Sequence, residues 1–170
     1  MGETSNGKDS VTNQVVKDLN LNVVKTYTTR KKRTPEEDTH YFVDLNAYNN
    51  DKNNERIAAE TEINGNKYWS RQEDVLNSDI YIIDPKGVRS LRKTMGNDIV
   101  PIYIYIPFEV RKNRAIDRGD NLYDFLERSD DELDQFIRLK SNMEYKYMIY
   151  NEDLDKSCKI LKSIINAEEI

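Results

Sequence analysis

Near the start of the chain, two glycines stand five residues apart and the second is followed at once by lysine, in Gly2-Glu3-Thr4-Ser5-Asn6-Gly7-Lys8-Asp9-Ser10. This is the spacing of a backbone loop that cradles phosphate. Glycines let successive N–H groups turn inward, and lysine adds a point charge for the outer phosphate oxygens. A helix predicted from about Ser10 to Leu19 would add its positive N-terminal end to the same anion site. Where such loops carry the hydroxyl that reaches magnesium, this one has Asp9, with Ser10 one residue later. A disordered polar tail would have the same composition. A strand should precede the loop to aim it, and only Met1 stands before Gly2, so the chain is expected to continue upstream into a Val/Ile-rich strand.

Two further clusters could meet anions. The run Thr28-Thr29-Arg30-Lys31-Lys32-Arg33-Thr34-Pro35 ends a β-rich segment. Its alternative is a solvated loop, which Glu36-Glu37-Asp38 could neutralise. Arg111, Arg114 and Arg118 recur at helical spacing and so lie near one face. Their alternative is a solvated face paired with Glu109, Asp117 or Asp120.

The bulk numbers narrow the classes. A chain of 170 residues fits one domain carrying a mobile lid, and 37% hydrophobic against 34% charged residues concentrates the core in a few strands. A net charge of −5 argues against a general nucleic-acid binder. The lone Cys158 excludes an internal disulfide or a cysteine-rich metal site, and its spacing with Leu161, Ile164 and Ile165 predicts buried packing. No apolar run long enough for a membrane span and no signal peptide is visible, which leads to the expectation of a cytoplasmic protein that does not meet membranes.

The elements that must position these residues alternate strand and helix. Strands are predicted at Val23–Thr28, His40–Val43, Ile80–Ile83, Val100–Ile106 and Tyr147–Tyr150. A hairpin is predicted across Asn64-Gly65-Asn66. Helices are predicted from about Asp44 to Asn50, from Asp84-Pro85 to about Thr94, from Phe108 to about Arg118 and from Leu154 to Ala167. One more should open on the capping box Ser129-Asp130-Asp131-Glu132 and run to about Tyr145. This order implies an α/β fold, an open parallel sheet covered by helices on both faces, with ligands at the carboxyl ends of the strands.

The order of these motifs resembles that of the guanylate kinase family over nearly the whole chain. Gly2–Ser10 resembles its ATP-phosphate loop. Thr28-Thr29-Arg30 followed by Arg33 resembles its T-T-R-x-x-R motif, and Gly65-Asn66-Lys67-Tyr68-Trp69-Ser70 its G-N-x-Y-G-[ST] segment. Arg114, Arg118-Gly119 and Arg128 look like lid arginines, and Tyr150-Asn151-Glu152-Asp153-Leu154 is similar to the family's V-N-D-D-L stretch beside adenine.

The resemblance implies a P-loop nucleoside monophosphate kinase that uses ATP and Mg2+ to phosphorylate GMP or dGMP. Its core would be residues 1–29 and 79–170, its monophosphate-binding β insertion about 30–78 and its helical lid about 111–130. Lys8, Arg114, Arg118 and Arg128 would be catalytic. Gly2, Thr4, Ser5, Asn6, Gly7, Lys8, Asp9, Ser10 and Asn151 would bind ATP, with Ser10 and Asp9 toward the metal. Arg30, Arg33, His40, Tyr41, Glu60, Tyr68, Ser70 and Asp84 would bind the monophosphate. The sequence departs from the pattern where Ala59 stands for the guanine-reading glutamate, with Glu60 adjacent. It departs again where Ile82 stands for the first aspartate of D-x-D, where His40 stands for a phosphate-gripping tyrosine beside Tyr41, and where Trp69 stands for a glycine. An unusual phage-type nucleotide is the related enzyme reading. A non-catalytic binding module or an inactive relative lacking its first strand is the reading from another class.

Overall fold

The computed structural model describes residues 1–63, 65–96 and 98–169. The chain divides into two compact units, one made of Met1–Asn20 and Val100–Ile170, the other of Leu21–Ile99. Among the described residues it is a mixed α/β protein with parallel strand pairs, a β insertion and eight helices, and no helix is long and apolar enough to cross a membrane.

In the first unit, β5 (Ile102–Tyr105) pairs in parallel with β6 (Tyr147–Tyr150). Met1 lies on the other side of β5, its terminal ammonium donating to Ile102 O at 2.8 Å and its carbonyl accepting from Ile104 N at 2.9 Å. Those two bonds are the launch point of the glycine loop. Helix α1 (Lys8–Leu19) packs against α8 (Leu154–Ala167), each presenting an apolar stripe that includes Val11, Val15, Leu161 and Ile165. Cys158 is buried on α8 as its spacing predicts, and burial pushes its thiol up.

Helices α5 (Phe108–Asp117), α6 (Leu122–Asp131) and α7 (Leu133–Ser141) follow β5, and Phe136 and Leu139 of α7 pack on Tyr103. The capping box is not a helix start. Ser129 lies inside α6, whose real cap is Asn121, its side chain accepting from Tyr123 N at 2.8 Å and Asp124 N at 3.4 Å. Glu132 joins α6 to α7 in a helical conformation, so its carboxylate is released from capping to serve elsewhere.

The second unit carries a sheet of order β2-β1-β4-β3, from β1 (Tyr27–Thr28), β2 (Tyr41–Phe42), β3 (Ile57–Ile63) and β4 (Asn66–Arg71). Strands β3 and β4 form the predicted hairpin, closing at Ile63 opposite Asn66 with Gly65 at φ 73°; Asn64 lies outside the described residues. Helix α2 (Leu45–Asn53) and the short α3 (Gln72–Leu76) adjoin it, and α4 (Pro85–Met95) is capped by Asp84, which accepts from Gly87 N at 2.5 Å. The strands expected at 23–28 and 80–83 are shorter than predicted. Val23 and Ile80 form a parallel bridge, after which the first segment changes partners and joins β2 and β4 at Tyr27.

Trp69 fixes which way this sheet faces. Its ring is buried, and its Nε1 donates to Asp51 Oδ2 at 2.9 Å on α2, the oxygen that also takes Arg71 Nε at 2.8 Å. Truncating so large a buried side chain would cost about 3–5 kcal/mol. Because side chains alternate along a strand, anchoring Trp69 against α2 commits Tyr68 and Ser70 to the opposite face.

Candidate functional site

The glycine loop forms as a loop because its backbone is held from outside while its glycines admit close neighbours. A Cβ on Gly2 would lie 2.7 Å from Ile104 O and closer still to the Asn6 amide. Gly7 sits at φ +83°, where a Cβ would meet Asn151 Nδ2 at 2.5 Å. Asn6 is fully buried. Its side chain donates to Ile104 O and accepts from Lys8 N at 3.0 Å, and its own carbonyl accepts from Asn151 Nδ2 at 2.7 Å. Gly7 caps α1 without a side chain, so beyond Lys8 N, which is held by Asn6, no cap side chain takes the N–H groups of the first turn. Lys8 is the first residue of α1, its ammonium 3.6 Å from the exposed carboxylate of Asp9; Ser10 follows, also exposed.

The helices after β5 brace this loop. Arg111, almost wholly buried, donates to Thr4 O at 3.2 Å. Thr4 N donates to Glu132 Oε1 at 2.5 Å, and Arg111 Nη1 lies 3.9 Å from the same oxygen. Burial raises the Glu132 carboxyl above the usual range, against the pull of the Thr4 N–H and of the Lys8 and Arg111 charges. Behind them Glu3 accepts from Tyr103 OH at 2.7 Å, and burial plus that bond push the phenol far up.

The expected lid arginines divide. Arg114 spends its guanidinium on backbone carbonyls, those of Asn151 at 2.9 Å, Glu152 at 3.2 Å and Asn6 at 3.5 Å. It therefore ties the loop to the segment after β6. Arg118 reaches Ser5 Oγ at 3.1 Å while paired with Asp120, and Arg128 is exposed, its charge felt at Asp120. Asn151 is likewise a brace, its side chain turned to the loop carbonyl of Asn6.

In the second unit, one sheet face gathers Thr28, Phe42 and Tyr68 by register, with Ser70 beside Ala59 two residues along β4. Arg30 leaves this face as a fork onto Glu37, Nη2 to Oε1 at 2.6 Å and Nη1 to Oε2 at 3.2 Å, with Nη1 also donating to Lys31 O at 2.7 Å and the guanidinium 5.2 Å from the Phe42 ring centre. Arg33 contributes its backbone N–H to Glu37 at 2.6 Å, and its side chain is exposed. His40 Nδ1 lies 2.6 Å from Thr26 Oγ1, its ring edge-on to Phe42 and Tyr68. Burial and then the Arg30 charge hold it below its ordinary pKa, so at neutral pH it is uncharged and packs rather than pairs. Tyr81 stands beside Ser70, and burial pushes its phenol up to about 12. Asp84 acts on that phenol while capping α4.

Tyr41 and Glu60 do not join them. Both lie on the Trp69 face, Tyr41 opposite Tyr27 and Glu60 opposite Trp69. Glu60 accepts from Tyr48 OH at 2.5 Å and pairs with Lys52 at 3.1 Å. One step along a strand has turned each away from Tyr68 and Ser70.

The residues that sequence reasoning left out are Arg111, Glu132, Tyr81 and Glu37 as partners of the site. Arg111 was visible at helical spacing with Arg114, and Glu37 as an acid following the basic run. Glu132 was hidden behind an apparent capping box, and nothing local marks Tyr81.

A family profile described as "Guanylate kinase" matches residues 1–168. A guanylate kinase of Brucella melitensis biotype 1 is 29% identical over 179 aligned residues, covering 96% of this chain and 79% of the relative. One from Bartonella henselae is 30% identical, covering 96% and 77%. The crystal structure of guanylate kinase from Anaplasma phagocytophilum shares the fold, with a TM-score of 0.74 at 21% identity over 99% of this chain and 84% of that one.

Proposed function

The chain belongs to the guanylate kinase family, and from that premise we propose that it transfers the γ-phosphoryl group of ATP to GMP, giving ADP and GDP. A phosphate oxygen of GMP attacks the γ-phosphorus and the bond to the β–γ bridging oxygen breaks. The transition state is loose, so catalysis consists of positioning and charge stabilisation.

The observation that carries this reading is the loop. Gly7 in a left-handed conformation delivers Lys8 to the first turn of an uncapped helix, with Asn6 pinned beneath it. Lys8 and the α1 N–H dipoles would hold the outer phosphates of ATP. Arg118 and Arg128 would offset charge on the moving phosphoryl group, and Arg114 and Asn151 would keep the loop in shape. Arg30, the Arg33 N–H and Tyr68 would grip the monophosphate, with Ser70, Tyr81 and Asp84 toward its base. Magnesium, bound with ATP, would supply positive charge that offsets the repulsion among the phosphates. It keeps most of its waters and needs few protein ligands, so the exposed Asp9 carboxylate and Ser10 hydroxyl fit it in chemistry.

A coupled assay of ADP release with GMP, dGMP, AMP, CMP and UMP tests the proposal. The highest kcat/KM is expected for GMP or dGMP. Absence of transfer to every one of them would overturn it.

A further inference from the structure

The acceptor cluster already holds an anion, and the anion belongs to the chain. Both Glu37 oxygens lie on the Arg30 fork, at 2.6 and 3.2 Å. Oε2 also accepts from Arg33 N at 2.6 Å, and Oε1 from Thr39 Oγ1 at 3.0 Å. A carboxylate and a phosphate monoester present the same geometry to a guanidinium, two oxygens to two parallel N–H groups. Glu37 therefore occupies the Nη1 and Nη2 face of Arg30 that would recognise an acceptor phosphate, while Nη1 also donates to Lys31 O at 2.7 Å and the buried Nε finds no hydrogen-bond partner among the described residues.

We propose that Glu37 is an internal occupant of the acceptor-phosphate site, displaced by the incoming monophosphate, and that it thereby sets the acceptor's affinity. This rests on the reading of Arg30 as the phosphate grip. The loop makes displacement cheap. Residues 31–36, 38 and 39 are exposed, and the turn that carries Glu37 is closed by a single backbone bond, Glu37 N to Thr34 O at 3.1 Å. Glu37 itself stays ionised throughout the working range, because the Arg30 fork holds its carboxyl down to about 2.

The test titrates GMP into the unaltered chain, Glu37→Gln and Arg30→Ala, by calorimetry and by KM. Removing the resident charge while keeping side-chain shape should tighten GMP about tenfold, the worth of a charge-assisted contact in part retained by the amide. KM for ATP serves as the control. If Glu37→Gln leaves GMP affinity unchanged or weaker while Arg30→Ala weakens it, Glu37 is a brace for the loop, and this inference falls while the reading of Arg30 stands. If Arg30→Ala leaves GMP affinity untouched, that reading falls and takes the inference with it. In the unaltered chain, carbon NMR of the Glu37 carboxyl gives a result independent of any variant's folding. Saturation with GMP should return its pKa from about 2 toward the ordinary glutamate value. A carboxyl that stays down would overturn displacement.

Discussion

Glu37 and Glu132 set one side chain in two comparable positions, each accepting a backbone N–H and lying beside an arginine, yet their carboxyls move in opposite directions. Their side chains keep similar exposure, 10% and 20%, so surface coverage does not separate them. What covers them does. Glu37 is covered by its own donors on an otherwise exposed loop, with the Arg30 fork the largest influence, and it falls to about 2. Glu132 has the body of its unit behind it and one N–H in front, and burial outweighs the donors and raises it. A carboxylate surrounded by donors is a satisfied anion. One set deep with a single donor is a charge the fold tolerates for the sake of the loop it holds.

The strongest way to break this comparison is at the phosphate loop. Lys8→Ala should lower kcat by about a hundred- to a thousandfold, as removal of a preorganised charge does, while the melting temperature hardly moves. Near-normal turnover would take Lys8 out of the chemistry. Arg30→Ala comes next. It should weaken GMP binding by about 1.5–3 kcal/mol, roughly ten- to more than a hundredfold, and leave KM for ATP nearly intact. If both variants damage both substrates alike, the division into a donor cluster and an acceptor cluster is wrong.

Stability against pH sharpens the contrast. The folded pKa of Glu37 is depressed, so its contribution is complete above the unfolded value of 4.5 and is lost as pH falls from there toward about 2. Urea unfolding should therefore show Glu37→Gln less stable than the unaltered chain at pH 7, with the gap narrowing below pH 4.5 and closing only at about pH 2. Glu132 has the opposite sign. Its folded pKa is raised, so the folded state binds the extra proton and stability declines as pH rises through that value. The smallest effect follows. Glu132→Gln keeps an acceptor for Thr4 N and removes the charge, and at pH 7 it should gain up to about 1 kcal/mol, about 2–4 °C in Tm. A loss of stability there would mean that the Lys8 and Arg111 charges, not burial, decide the energetics at Glu132.

Much of this was legible in the sequence. The loop is written in Gly2, Gly7 and Lys8, because only those types satisfy its backbone and charge. The closing helix Leu154–Ala167 was legible because its period is unbroken, and the hairpin because Asn64-Gly65-Asn66 spells a turn between two extended runs. The sheet face was not. Glu60 and Tyr41 have suitable chemistry at nearly suitable positions, but strand register is set by Trp69 burying itself against Asp51 and Tyr48, a contact across the fold. Ser129 to Glu132 is a capping box in letters only, since Asn121 had already started the helix. Arg114 was expected to be a catalytic cation, and its ties to three carbonyls depend on where β6 ends.

The pinned Asn6 also bears on how the loop ages. Asn-Gly is the dipeptide most prone to deamidation, because an unshielded glycine nitrogen can attack the asparagine side-chain carbonyl carbon and close a succinimide. In the folded loop that side chain is held at both ends, by Ile104 O and Lys8 N, and is fully buried. Ring closure at position 6 must wait for the loop to open. Once formed, aspartate or isoaspartate would set an acceptor where Ile104 O needs a donor, and the loop could not close as before. The fraction of isoaspartate at position 6 after storage is thus a cumulative record of loop opening, and bound nucleotide should slow its accumulation in proportion to how firmly it keeps the loop shut.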